Sequence, residues 1–110
     1  DIVDLLKRGV LPQDSFDVAI QSDSLFFLFP TLLAQRHLGG YFRNLLNILK
    51  SGGIFLTSHG LTLMTRPMMR ICYLILNRLS CPVYTARFKE WNEFRNKHFV
   101  YDIRIYRVTK

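Results

Sequence analysis

The sequence predicts an α/β fold organised around a parallel sheet, and three observations carry that expectation. Residues 16–21, Phe-Asp-Val-Ala-Ile-Gln, form a short apolar run of β-compatible residues. From Gly40 onward, Phe42, Leu45, Leu46 and Leu49 recur at three- and four-residue spacing, with Arg43, Asn44, Asn47 and Lys50 between them. Ser51-Gly52-Gly53 then leads straight into a second apolar run at 54–57. Helix, glycine stop and apolar strand form the return half of a βαβ unit, whose crossover is right-handed in nearly every case and whose strands run parallel.

Taken in order, the first strand is introduced by the turn-like segment Leu11-Pro12-Gln13-Asp14-Ser15. Ser22-Asp23-Ser24 follows it, where a helix N-cap would sit, and 25–28 begins a short helix that Pro30 is expected to interrupt or redirect. The amphipathic helix from Gly40 should end at Lys50, a basic last turn followed by glycine able to take the left-handed conformation. Thr65-Arg66-Pro67 reads as a helix start, and a helix over about 66–79 would place Arg66, Arg70 and Asn77 on one face. Met69, Ile71, Leu74 and Ile75 would cover much of the remainder. Two further strands are expected at 83–88 and 99–108, the second from its alternation. The short connection between them makes an antiparallel hairpin added to the sheet.

At 110 residues and 49% apolar composition, one globular unit is the limit, and it can bury only a modest core. Residues 1–60 balance five Lys/Arg against five Asp/Glu, whereas 61–110 carry ten against three, so the net +7 lies wholly in the second half. Such a half could meet RNA, an acidic protein surface or anionic lipid, although no phosphate-binding motif accompanies it. Cys72 and Cys81 lie in and after an apolar helical stretch without CxxC spacing, which suits reduced, buried thiols better than a disulfide scaffold. His37, His59 and His98 are too scattered to read as a metal set, so no metal is expected. The start, Asp1-Ile2-Val3-Asp4, has neither the basic residues nor the apolar run of a secretory signal, and the apolar stretch 68–79 is too short and interrupted to span a membrane. The expectation is an intracellular, cytoplasmic protein.

Two motifs carry a family resemblance. Leu11-Pro12-Gln13-Asp14-Ser15-Phe16-Asp17-Val18-Ala19-Ile20 resembles the "LPF-x-D-x-SFD-V-V" segment of class I S-adenosylmethionine-dependent methyltransferases. Leu46-Asn47-Ile48-Leu49-Lys50-Ser51-Gly52-Gly53-Ile54-Phe55-Leu56 is similar to their "VLKPGG-x-L" segment, with Ser51 in place of the usual Pro. The resemblance implies the C-terminal part of a Rossmann-like class I methyltransferase fold, with parallel strands, crossover helices and a closing antiparallel hairpin. A closer likeness is to the protein-lysine methyltransferase-like subgroup, through Gln21-Ser22-Asp23-Ser24-Leu25-Phe26-Phe27-Leu28 against "DKGTLDAL" and the segment from His98 to Lys110 against "HYF-x-Y-V-M-x-K". Gln21-Ser22-Asp23 replaces Asp-Lys-Gly, so that subgroup's amine site is not carried over.

What the resemblance implies is S-adenosylmethionine as cofactor and a protein or small-molecule methyl acceptor. Methyl transfer from a sulfonium needs alignment more than acid–base chemistry, so the lack of a catalytic triad is no objection. In open α/β sheets ligands lie beyond the carboxyl ends of the strands. Gln21 and Ser22 are therefore candidate cofactor-binding residues, and Asp23 and Ser24 candidate substrate-binding residues, unless Ser22 to Ser24 merely cap the next helix. Asp1-Ile2 matches the acidic-apolar pair that closes the family's third strand and meets the adenine, with Asp4-Leu5 as an alternative register. Ser58 and His59 follow the second strand, where His59 would line a substrate pocket or sit on a loop. The glycine-rich turn and the ribose-binding acid of the family's first half find no match, since Gly39-Gly40 and Gly52-Gly53 are not strand-to-helix turns. The expected domain is thus 1–110 as a partial methyltransferase domain. Two other readings stay open: a non-catalytic module using its basic half to bind protein or RNA, and a different doubly wound enzyme, from which strand order would discriminate.

Overall fold

Eight elements follow one another through the described residues: α1 (Ile2–Lys7), β1 (Phe16–Ser22), α2 (Leu25–Ala34), α3 (Leu38–Asn47), β2 (Leu49–Leu61), α4 (Thr65–Leu79), β3 (Cys81–Asn92) and β4 (Lys97–Arg107). The structure, a computed structural model, describes residues 2–22, 25–62 and 65–110. The strands form one sheet in the order β1-β2-β4-β3. β1 and β2 run parallel, with Val18 beside Ile54, Gln21 beside Thr57 and Ser22 beside Ser58, so the chain returns through α2 and α3 in the expected crossover. β4 lies between β2 and β3 and is antiparallel to both, which is the expected closing hairpin.

One face of this sheet is covered. Along β2, Phe55, Thr57, His59 and Leu61 are buried, while Ile54, Leu56, Ser58 and Gly60 between them are only half-buried, the two-residue period of a strand with a single protected face. Against it α3 sets Tyr41, Phe42, Leu45 and Leu46, and α4 sets Met69, Cys72, Tyr73 and Leu76, the latter spaced i, i+3, i+4, i+7. The core face of α4 therefore differs from the one expected, since Ile71 and Leu74 are 43% and 59% exposed. On the other sheet face β1 presents Val18 and Ile20, 53% and 69% exposed.

Several boundaries also differ, each for a physical reason. α2 runs through Pro30 to Ala34 rather than breaking there. Proline at the sixth position forfeits one bond to the carbonyl four residues earlier, and burial of Phe29 and Leu32 offsets that loss. α3 ends at Asn47, not Lys50, because Leu49 is drawn fully into the core and pairs with Phe16. The glycines instead build an irregularity in β2, where Gly52 takes φ +82°. At Gly53 the backbone passes so close to β1 that a Cβ would stand 2.8 Å from the Lys50 carbonyl oxygen and 3.2 Å from that of Asp17. Both closing strands are longer than expected, and four residues, Glu93 to Asn96, join them. α4 starts where expected: the Thr62 amide donates to Thr65 Oγ1 at 2.7 Å and the Thr65 amide to Thr62 Oγ1 at 3.2 Å, a reciprocal cap.

Candidate functional site at the carboxyl end of the sheet

The parallel pair brings the tips of β1 and β2 together, and the alternation of a strand then sends neighbouring residues to opposite faces. Gln21 turns to the helix-covered face and is 7% exposed. Its Nε2 donates to the Tyr41 hydroxyl of α3 at 2.9 Å, while its Oε1 has no hydrogen-bond partner among the described residues. A buried amide oxygen without a donor is costly, on the order of 1–3 kcal/mol, unless a ligand or water supplies one. Burial pushes the Tyr41 phenol above its ordinary value, with the Gln21 bond pulling the other way. Ser22 points to the open face and is exposed, beside half-buried Ser58. Gln21 and Ser22, two of the four residues expected to meet the cofactor, therefore flank the strand tip, one from each side.

His59 does not lie on a loop. β2 continues to Leu61, so Ser58 and His59 belong to the strand, and His59 is 3% exposed on the covered face, opposite Asp102 of β4. Gln21, Thr57 and His59 share that face. Ile2 opens α1 and is 39% exposed, whereas Asp4 lies in the first turn of that helix, 3.4 Å from Arg8 in an exposed ion pair. Asp1, Asp23 and Ser24 lie outside the described residues. Of the two thiols, Cys72 is buried and Cys81 is exposed, against the expectation that both are buried.

Sequence reasoning passed over a second polar group beneath α4. Asp102 is fully buried, with Arg104 Nε 3.1 Å from its Oδ2 and Arg87 Nε 3.5 Å from its Oδ1. The Arg104 guanidinium stacks 3.7 Å over the Tyr73 ring. Burial and the adjacent Asp102 carboxylate raise the Tyr73 phenol well above its usual range. Asp102 and Arg104 occupy the same phase of β4 as buried Tyr106 and Val108, and charged residues in the inward phase of an alternating strand were the available signal.

Strand order, crossover and closing hairpin together define the class I methyltransferase fold, and solved structures agree. TTHA0409 of Thermus thermophilus, named as a candidate DNA modification methylase, superimposes with a TM-score of 0.73 at 14% identity over 100% of this chain and 51% of its own. The N-methyltransferase NodS of Bradyrhizobium japonicum gives 0.61 at 13% identity, over 90% of this chain and 54% of its own. The 1,6-didemethyltoxoflavin-N1-methyltransferase of Burkholderia thailandensis, with S-adenosylhomocysteine bound, gives 0.61 at 16% identity, over 90% and 46%. The chain spans about half the length of these structures. No family model and no curated protein matches the sequence. The likeness to the protein-lysine subgroup finds no counterpart in the names of these three structures. Among the described residues no helix is long and apolar enough to cross a membrane.

Proposed function

We propose that the chain supplies the carboxyl half of an S-adenosylmethionine pocket, and that the complete protein transfers a methyl group to a protein lysine or a small molecule. The observation that carries this is the tip of β1, where a buried amide oxygen without a donor stands beside an exposed serine hydroxyl in a class I methyltransferase fold. S-adenosylmethionine carries an ammonium, ribose hydroxyls and an adenine amine, all hydrogen-bond donors, and the acceptors Gln21 Oε1 and Ser22 Oγ suit them. When bound, this donor supplies the activated methyl group and the leaving group. The chain's own part is to bind and orient: Tyr41 fixes the Gln21 amide, and α3 shields it from water.

In this reading a glycine-rich half completes the pocket from the β1 side. The exposed Val18 and Ile20 on the uncovered face of β1 support that, because apolar residues at an open sheet edge favour a cover. Calorimetric titration of the full-length protein with S-adenosylmethionine tests the proposal. Heat of binding is expected, and none at millimolar ligand would sink it. A second reading, a non-catalytic module for protein or RNA, is favoured by the β3–β4 tip. There Trp91 and Phe94 are 49% and 100% exposed beside Arg95 and Lys97. RNA affinity insensitive to added salt would contradict its electrostatic form.

A further inference from the structure

Below α4 the sheet and the helix leave a cleft of about 320 Å³, near the lower end of volumes that hold small ligands. Arg66 and Arg70 reach it from the helix, Arg87 from β3 and Arg104 from β4, while Leu61, Met69 and Leu74 give it apolar surface. Four guanidinium groups line the cleft around one carboxylate, Asp102, which Arg87 and Arg104 approach through Nε at 3.5 Å and 3.1 Å. A guanidinium offers several N–H donors in a fixed fork, so groups that approach one carboxylate can also grip a phosphate or carboxylate in two parallel bonds. Stacking on Tyr73 and pairing with Asp102 fix the Arg104 group in place before any ligand arrives.

The helix side makes the imbalance sharper. α4 contains no Asp or Glu, and its first turn has no acidic residue. Arg66 and Arg70 are like charges one turn apart at the positive end of the helix dipole, an arrangement that disfavours the helix by a few tenths of a kcal/mol per pair. An anion held in the cleft would relieve that repulsion and complement the dipole.

We propose that this cleft binds a small phosphorylated molecule, its phosphate held by Arg66, Arg70, Arg87 and Arg104 and its organic body against Leu61, Met69 and Leu74. A nucleic-acid backbone fits less well, since it needs cations strung along a surface, whereas these four converge on one half-apolar cleft. The site is distinct from the β1 tip and stands whether or not the methyl-transfer reading does.

The test is calorimetric titration of the full-length protein with phenyl phosphate and with inorganic phosphate, repeated on Arg66→Ala, Arg70→Ala and their double variant. Arg43→Ala, on α3 and outside the cleft, serves as control. Arg66 and Arg70 are exposed, so urea midpoints should show the variants folded. The expected result is that phenyl phosphate binds more tightly than inorganic phosphate. Each single variant should weaken it about tenfold, and Arg43→Ala should leave it unchanged. No binding of phenyl phosphate, equal loss in Arg43→Ala, or affinity unchanged in the double variant would overturn the proposal. So would a short single-stranded oligonucleotide that binds more tightly than phenyl phosphate and loses its affinity in the double variant.

Discussion

Replacing Asp102 by Asn removes the negative charge that holds two arginines while keeping the shape of the side chain. Loss of one partner from a fully buried ion pair costs about 3–5 kcal/mol, because the other charge is left uncompensated. Here the arginines keep some access to water: the side chains of Arg104 and Arg87 are 24% and 53% exposed, and Arg104 retains its stacking on Tyr73. Solvent screening of that kind returns part of the penalty, so Asp102→Asn is expected to cost about 2 kcal/mol, roughly 10 °C in Tm for a domain this small. Urea unfolding followed by far-ultraviolet circular dichroism measures it, with the slope unchanged and the midpoint lowered. A double-mutant cycle with Arg104→Met should show coupling of about 1 kcal/mol. A loss under about 0.5 kcal/mol for Asp102→Asn, or strictly additive losses in the cycle, would refute the view that this carboxylate anchors the cleft.

Alkaline pH should weaken the fold in a defined order. Burial pushes the Cys72 thiol from 9.0 up to about 12 and the Tyr106 phenol from 10.0 up to about 12. Between those values the unfolded chain has released the proton and the folded chain has not, so stability falls as pH rises. By about pH 11 Cys72 contributes a loss of roughly 3 kcal/mol and Tyr106 about 1 more. Urea midpoints taken across pH 8 to 11 should therefore decline first through Cys72, with the raised phenols of Tyr41, Tyr73 and Tyr106 adding to the fall toward about pH 10, and Cys72→Val should roughly halve the decline below about pH 10. An unchanged profile in that variant would count against the assignment. Gly53→Ala should cost about 2 kcal/mol or more, because its Cβ would press on two carbonyl oxygens of the β1–β2 irregularity, and a midpoint within error of the parent would contradict that contact. Gln21→Leu removes an orphan acceptor along with one hydrogen bond, so stability should change by less than about 1 kcal/mol. Affinity of the full-length protein for S-adenosylmethionine should meanwhile drop about tenfold, and undiminished affinity would remove Gln21 from the pocket.

How far the sequence revealed this molecule depended on what each residue buries. The β1–β2 pair was legible because 16–21 and 54–57 are apolar runs flanked by turn residues, and β4 was legible through its alternation. β3 was only half visible, since as an edge strand it is exposed along nearly all its length and is held by backbone pairing to β4, which leaves no hydrophobic pattern. The continuation of α2 through Pro30 has the opposite origin, a local rule overruled by packing of Phe29 and Leu32. At the site, Gln21 stood out as a polar residue ending an apolar strand. Tyr41 did not, because an aromatic residue on the inner face of a helix reads as core whether or not its hydroxyl holds a partner. For Asp102 and Arg104 the alternation of 99–108 marked two candidate faces, both with apolar residues, and only the pairing with β2 settles that their phase is the inward one.

The charge asymmetry of the chain acquires a sharper meaning from this arrangement. The cations of the second half do not form one basic surface. Four of them converge on the cleft under α4, and Lys110 is drawn back to Asp14 and to the carbonyl oxygens of Asn47 and Leu49 at the end of α3. Arg95 and Lys97 sit at the β3–β4 tip, 5.7 Å and 5.3 Å from the Phe99 ring. A polyanion drawn by net charge alone would have to engage both cleft and tip, whereas a small phosphorylated ligand needs only the first. Charge removal at Arg66 and Arg70 and at Arg95 and Lys97 therefore separates the two modes. Long-range attraction responds to either pair alike, because it senses total charge, whereas a convergent site responds only to the guanidinium groups that line it.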